Sequence, residues 1–261
     1  MTSENDKRLE IERRIQAYFD PSQSKISFGD KGIVKKELGF DLPLSNLIGL
    51  VGAPCDSEIL VELVDTDTIP PGFDDPENKD EILPAGLRAT ITNKKYIADK
   101  NVVFIYFNSE SGTVRIYIGT VDFLSRNFGV SGVAALMTRS ILNWAQNMPP
   151  GTRKIDQLQL MAAGGRNWGD RYTTKERWIG YNVWPKCGFN MELHPTTTEI
   201  LPHFPKFPAK IGSCKTVRDV LKLAGGKEFW TAAGDGWLMD FGVFDQASLD
   251  LLDKYLLEQV K

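Results

Sequence analysis

The chain has 261 residues, of which 42% are hydrophobic and 25% are charged, and this composition is typical of a soluble globular protein. Its 31 basic and 34 acidic side chains give a net charge of −3 at pH 7, which argues against a nucleic-acid or anionic-membrane partner. The longest apolar run, Val102–Phe107, is too short to span a bilayer, and the acidic first residues are unlike a signal peptide. We therefore expect a cytoplasmic protein of one large domain or two small ones, with its three cysteines reduced.

The N-terminal part of the chain predicts two helices and a strand. Asp6–Phe19 places apolar side chains along one stripe of a charged helix, which either packs on the domain or binds a partner. Ile33–Leu38 is predicted as a second short helix, and Glu58–Val64 as a strand. The acidic run Asp74–Glu81 lies in a predicted loop, and its spacing is not that of an EF-hand. We expect this run to form a solvated face, and no metal site is predicted.

The middle of the chain predicts an antiparallel meander that leads into a βαβ unit, and therefore an α/β (α+β) fold with a mixed sheet. β-Branched and aromatic residues with a period of two mark the strands, and apolar residues near helical spacing mark the helix. A hairpin turn over 109–112 joins the second and third strands. The predicted strands are Leu87–Thr92, Val102–Asn108, Arg115–Phe123 and Ile155–Ala163, and the predicted helix is Val133–Gln146.

A turn of little bulk, 125–132, lies between Arg115–Phe123 and Val133–Gln146 and contains two glycines. A loop that leaves a strand and opens a helix presents free backbone N–H groups at the positive end of the helix dipole. Phosphate groups bind at such a position without needing a charged side chain. The turn is therefore a candidate anion site. The alternative is an ordinary tight turn that needs glycine only for its backbone conformation.

The residues of this turn resemble the acetyl-CoA loop of the GNAT superfamily of N-acetyltransferases. The pattern of that loop is Arg or Gln, two residues, Gly, one residue, then Gly or Ala, with a Val five residues before the Arg. Val121, Arg126 and Gly129 match this pattern, and Ser131 is small but is neither Gly nor Ala. The order of a meander followed by a βαβ unit is also that of the family.

A second stretch, Gly180–Phe189, resembles the later helix of the family, which closes on a Tyr, three residues and then Gly-Phe. Trp184 stands where that Tyr is expected, and Pro185 follows it inside the predicted helix. The spacing before this stretch is longer than in the family, which implies an insertion around Trp168–Arg177. The Trp-Pro-x-x-Gly-Phe ending is also similar to open reading frames of bacteria and phages without an assigned activity.

The resemblance implies a GNAT-like mixed sheet around the βαβ unit and an acyl-CoA-dependent N-acyltransferase, which transfers acetyl from acetyl-CoA to a small-molecule or protein amine. The pyrophosphate of acetyl-CoA would lie on the backbone amides of the turn, with a cationic side chain outside. The residues assigned to this co-substrate are Arg126, Asn127, Phe128, Gly129, Val130, Ser131 and Gly132. The alternative is a catalytically inactive GNAT-like binding or structural module of a bacterial or phage system.

Acyl transfer to an amine needs a base, a group that holds the oxyanion, and an acid for the leaving thiolate. The candidate bases are Asp122, at the end of a strand, and Glu192 and His194, on one face of a short predicted strand. The usual acid is the Tyr that Trp184 replaces, and an indole N–H cannot usefully protonate a thiolate. Tyr181 lies one turn earlier. The insertion is either a solvated loop or a clamp on an acidic substrate, and the insertion with its leading edge carries Arg166, Arg171, Lys175, Glu176 and Arg177.

The last third of the chain predicts a proline-rich linker followed by helices. Four prolines between Pro195 and Pro208 are expected to break regular structure. Thr216–Ala224 is predicted as a short helix with near capping-box spacing, and Asp245–Val260 as a helix capped by its first residue. Three segments are therefore predicted: an N-terminal helical extension (1–43), a GNAT-like α/β core (44–194), and a linker with a C-terminal helical appendage packed on the core (195–261).

Overall fold

The computed structural model describes residues 3–29, 32–38, 41–64, 85–162, 164–165, 179–200, 203, 208 and 210–260. It shows an α/β protein with a mixed β-sheet, so the predicted fold class is confirmed at this level. The chain forms two compact units, one of Met1–Leu158 with Asp253–Lys261 and one of Gln159–Leu252. The segment boundaries predicted at 43/44 and 194/195 divide the chain differently and stay predictions.

The first unit consists of a sheet and the helices that pack on it. Its first helix begins with a capping box, in which the Ser3 side chain accepts from the Asp6 N–H and the Asp6 carboxylate accepts from the Ser3 N–H. The described helices are α1 (Glu4–Phe19), α2 (Ile33–Leu38), α3 (Leu44–Leu50), α4 (Ser125–Phe128) and α5 (Val133–Gln146). The strands are β1 (Lys25–Phe28), β2 (Glu58–Val64), β3 (Gly86–Thr92), β4 (Asn101–Asn108), β5 (Thr113–Thr120) and β6 (Ile155–Met161), of which β6 continues into the second unit.

The strands of the first unit follow one another in the order β1-β2-β3-β4-β5-β6. β1 is parallel to β2, and the pairs β2–β3, β3–β4 and β4–β5 are antiparallel, which confirms the predicted meander. The Val114 N–H donates to the Lys154 C=O at 2.9 Å, and Arg115 and Asp156 form an ion pair at 3.9 Å. Because these contacts join the beginnings of β5 and β6, the two strands run in the same direction, with α5 between them in the chain.

Helices α1, α3 and α5 pack together in the first unit. Gly49 of α3 allows the closest approach, because a Cβ at this position would lie 2.3 Å from the Trp144 indole of α5. The Arg139 side chain of α5 forms an ion pair with Asp253, and burial lowers the pKa of this arginine. The N-terminal helix and the C-terminal residues from Asp253 onward are therefore part of the same packed unit as α5.

The second unit contains β7 (Leu238–Gly242), which follows β6 in the strand order, and several short helices. The Ala162 N–H donates to the Trp237 C=O at 3.0 Å, and the Gln159 side chain donates to Asp240 at 2.8 Å. The described helices are α6 (Gly180–Val183), which continues as a 3-10 turn over Trp184–Cys187, α7 (Pro195–Ile200), α8 (Val217–Lys222), α9 (Gly226–Ala233) and α10 (Gln246–Gln259), which ends in the first unit.

Several predicted elements differ from the structure. Pro195 begins α7 instead of breaking regular structure, because proline has no N–H to lose in the first turn of a helix. The segment Met191–His194 forms only an isolated bridge, between Glu192 and Thr216, and not a strand. β5 ends at Thr120, three residues before the predicted end, and the turn that follows contains α4.

Candidate functional site

The candidate anion loop, 125–132, leads from the end of the meander into α5. Its first half is the single helical turn α4, which ends on Gly129 with φ 62°. Its second half ends on Gly132 with φ 74°, and α5 begins at the next residue. Both glycines occupy the left-handed region, which other residues adopt only with strain. The loop therefore has the strand–turn–helix form that the sequence predicts.

The first half of the loop is anchored by packing. Phe128 is 1% exposed, and its ring lies 4.5 Å from Tyr96, 5.3 Å from Tyr18 and 5.4 Å from Phe123, measured between centroids. The Tyr18 hydroxyl donates to the Phe128 C=O. The Asn127 side chain donates to a backbone carbonyl, and its N–H donates to the Leu124 C=O at 2.8 Å. Of the residues assigned to the co-substrate, Asn127 and Phe128 therefore use their side chains to hold the loop.

The second half of the loop is more open. No described atom lies within 4 Å of the position of a Cβ on Gly129. Val130 is half-buried and Ser131 is exposed. The N-cap of α5 is Gly132, which has no side chain that could accept from the first N–H groups of the helix. This half offers several backbone donors to an anion.

Gly132 has a different environment from Gly129. A Cβ on Gly132 would lie 2.9 Å from Cγ of Gln259 and 3.7 Å from the Tyr255 ring, both on α10. Packing against α10 therefore explains why this position is a glycine, and so does its left-handed backbone. The side chain of Arg126 lies outside the described residues, and so do the insertion residues Arg166, Arg171, Lys175, Glu176 and Arg177.

Asp122, a candidate base, lies just after β5 in the same unit as the loop. Its backbone is fixed on both sides, because its N–H donates to Asn101 at 2.8 Å and its C=O accepts from Ala98 at 3.0 Å. Asp122 itself is exposed. The structure thus shows a positioned backbone with an exposed side chain, which a substrate can reach.

Trp184 and Tyr181 lie in the second unit. The half-buried Trp184 ring packs edge-on against Phe189, with 5.3 Å between the ring centroids. The Tyr181 hydroxyl donates to the Thr231 C=O at 2.8 Å, and the Tyr181 C=O accepts from the indole N–H of Trp230 at 2.9 Å. The two Tyr181 hydrogen bonds join α6 to α9. The contacts described for Trp184 and Tyr181 are therefore packing contacts within this unit.

The remaining candidate bases, Glu192 and His194, also belong to the second unit. Glu192 is exposed, and the His194 ring stacks on the Trp237 indole with 4.2 Å between centroids and 15° between planes. The sequence did not single out Asp235, which is fully buried between Gly234 and Gly236. A Gly-Asp-Gly stretch predicts a turn, and nothing in this pattern marks its carboxyl group as buried.

The cysteines are unsuited to nucleophilic chemistry. Burial raises the pKa of the Cys187 thiol to about 12, and it also raises the pKa values of Cys55 and Cys214. All three are free thiols, as predicted. Across the described residues, no group of three or more His, Cys, Asp or Glu side chains is arranged to hold a metal ion.

Comparison with protein-family models, with curated proteins and with solved structures found no match. Within the described part of the chain, no helix has both the length and the apolar character needed to cross a bilayer.

Proposed function

We propose that this chain is a GNAT-like, acyl-CoA-dependent N-acyltransferase whose loop 125–132 binds the pyrophosphate of the co-substrate. The observation that supports this most strongly is the open second half of the loop, where Gly129 faces free space beside the uncapped start of α5. Uncapped N–H groups at a helix start carry partial positive charge and attract phosphate oxygens. The chain order of β5, loop, α5 and β6, with both strands in one direction, agrees with the predicted resemblance.

In this proposal the acyl group of acetyl-CoA passes to an amine. The amine loses a proton, its nitrogen attacks the thioester carbonyl, and coenzyme A leaves as a thiol. Asp122 is the candidate base in the first unit, because its side chain is exposed and its backbone is held by two hydrogen bonds. Glu192 and His194 remain candidates in the second unit.

The second candidate function is a catalytically inactive GNAT-like binding or structural module of a bacterial or phage system. The contacts of Trp184, at the expected acid position, and of Tyr181, one turn earlier, favour it. Trp184 packs on Phe189, and the Tyr181 hydroxyl donates a hydrogen bond to the Thr231 C=O. Under this alternative the loop binds its ligand but no thiol is released.

Calorimetric titration of acetyl-CoA into the protein tests binding, and thiol release with a panel of amines tests transfer. Gly129→Asp places a carboxylate at the proposed pyrophosphate position, and we expect it to weaken binding by at least about ten-fold. Gly112→Asp is the matched control, because Gly112 also has a left-handed backbone, with φ 69°, and open surroundings at a hairpin tip. Equal affinity in the two variants would refute the loop site, and binding without thiol release would favour the second candidate.

A further inference from the structure

The last residue of α10, Gln259, packs on the residue at which the candidate loop ends and α5 begins. A Cβ on Gly132, the N-cap of α5, would lie 2.9 Å from Cγ of Gln259 and 3.5 Å from its Cβ. Both residues belong to the first unit. The sequence analysis assigned α10 to a C-terminal appendage, but the end of this helix lies beside the second half of the loop.

The end of α10 is held by two polar contacts. The Lys7 ammonium of α1 donates to the Leu257 C=O at 3.4 Å, which places a cation at the negative end of the helix dipole. Asp253 forms the ion pair with Arg139 of α5. Because both contacts lie within the last two turns of α10, they fix the backbone that carries the Gln259 side chain.

The Gln259 carboxamide lies one bond beyond the Cγ that contacts the N-cap of α5. The side chain is half-buried, and its carboxamide forms no hydrogen bond within the described part of the chain. A carboxamide NH₂ group has two donors and no charge. The N-cap Gly132 has no side chain that could accept from the first N–H groups of α5. An anion at the start of α5 would therefore meet a side-chain donor next to backbone donors.

We propose that Gln259 is a further binding residue for the co-substrate, whose carboxamide donates a hydrogen bond to a phosphate oxygen at the start of α5. This inference rests on the proposed function for its ligand. It makes the end of α10 a part of the phosphate site. Since the donor is neutral, a positive charge at this position strengthens the interaction and a negative charge opposes it.

The test is a calorimetric titration of acetyl-CoA into three variants at this position. Gln259→Met keeps the unbranched stem that packs on Gly132 and removes the donors, so it should weaken binding about five- to ten-fold. Gln259→Glu has nearly the same shape and places a carboxylate beside the phosphate, so it should weaken binding more than Gln259→Met. Gln259→Lys supplies a charged donor and should bind at least as tightly as the wild-type protein.

The matched control is Gln246→Glu, the same substitution at the first residue of α10, where the side chain donates to Asp250. It should change affinity by less than about two-fold. Unfolding midpoints within about 3 °C of the wild-type value would show that a loss of affinity is not a loss of folding.

The outcomes separate this inference from the proposed function. If the wild-type protein binds acetyl-CoA and Gln259→Met or Gln259→Glu binds it equally well, the role of Gln259 is overturned and the proposed function stands. If the wild-type protein does not bind acetyl-CoA, the proposed function is refuted and the role of Gln259 falls with it.

Discussion

Gly129 in the first unit and Gly188 in the second both end a short helical turn in the left-handed region, with φ values of 62° and 95°. Their surroundings are opposite. A Cβ on Gly188 would lie 2.4 Å from the Ser248 carbonyl oxygen and 2.7 Å from the Phe241 ring, whereas Gly129 has open space. One glycine is required by its neighbours and the other only by its own backbone. The open glycine leaves room for the ligand of the proposed function, whereas the enclosed one is part of a packed core.

The hydrogen bonds around the two glycines are alike, because each N–H is bonded in the turn that its glycine ends. The Gly188 N–H donates to the Pro185 C=O at 3.2 Å, and its own C=O accepts from Arg218 at 3.2 Å. At Gly129 the preceding carbonyl, that of Phe128, accepts from the Tyr18 hydroxyl, and the Gly129 N–H closes the helical turn α4. The two glycines therefore differ in the space around the Cβ position and not in whether their N–H groups are bonded.

The largest expected effect comes from filling the enclosed position. Gly188→Ala adds a left-handed strain and pushes against the Ser248 backbone, so we expect a loss of roughly 3 to 5 kcal/mol in the free energy of unfolding. Urea denaturation measures it. Gly212→Ala, in the same unit and with no atom within 4 Å of the added Cβ, should change stability by less than about 0.5 kcal/mol. A loss below about 1 kcal/mol at Gly188 would contradict the enclosure.

The next effect concerns the aromatic residue that packs beside Gly188. Trp184 is half-buried against Phe189, so Trp184→Ala should cost about 2 to 3 kcal/mol, less than a fully buried aromatic residue. Trp184→Tyr should retain most of that stability, because a large ring remains. Thiol release that is unchanged in Trp184→Tyr would agree with a packing role. Activity lost in Trp184→Tyr while the fold is kept would instead place the indole in the reaction.

A smaller effect is expected at the open glycine. Gly129→Ala adds only the strain of a left-handed backbone, about 1 to 2 kcal/mol, and Gly112→Ala should cost the same because its φ and surroundings are similar. Thermal unfolding of the two variants side by side measures this. A cost at Gly129 that clearly exceeds the cost at Gly112 would mean that protein atoms fill the space assigned to the ligand.

The smallest effect is a dependence of stability on pH, and it arises in the second unit. Burial acts to raise the pKa of Asp245, but hydrogen bonds from Ser248, Arg218 and the Ala247 N–H outweigh it and lower this pKa below its ordinary value. Since the folded pKa is the lower one, the stabilisation is present above about pH 4 and is lost as the pH falls through the folded pKa. Asp245→Asn should flatten the acid limb of a stability profile. A profile that is unchanged in this variant would contradict the network.

Much of the fold follows from the sequence where elements are long and periodic. The helices Ile33–Leu38 and Val133–Gln146 and the strand Glu58–Val64 have the predicted bounds. β1 has only four residues, and β7 lies in a glycine-punctuated aromatic stretch, so neither has enough length for a period of two to show. The glycine pair Gly225–Gly226 follows the predicted helix Thr216–Ala224, where it would fit a helix end, but in the structure Gly225 is the N-cap of α9 and Gly226 its first residue.

The backbone conformation of the candidate site was predictable from the sequence, but the tertiary contacts that hold it were not. Two glycines before an apolar helix predict the loop and its conformation. No local pattern predicts that Tyr18, 110 residues earlier in the chain, donates to the Phe128 carbonyl. Nor does the pattern predict that Gln259 packs on Gly132. Such contacts arise from tertiary packing between distant segments, which sequence spacing does not encode.

The measurement that tests the central claim most directly is a titration of acetyl-CoA into isotopically labelled protein, followed by backbone amide resonances. The account predicts saturable shifts in the amides from Gly129 to the first turn of α5, while the enclosed amide of Gly188 stays unshifted. Absence of shifts in the loop at saturating acetyl-CoA, or shifts that are confined to residues elsewhere in the chain, would contradict it.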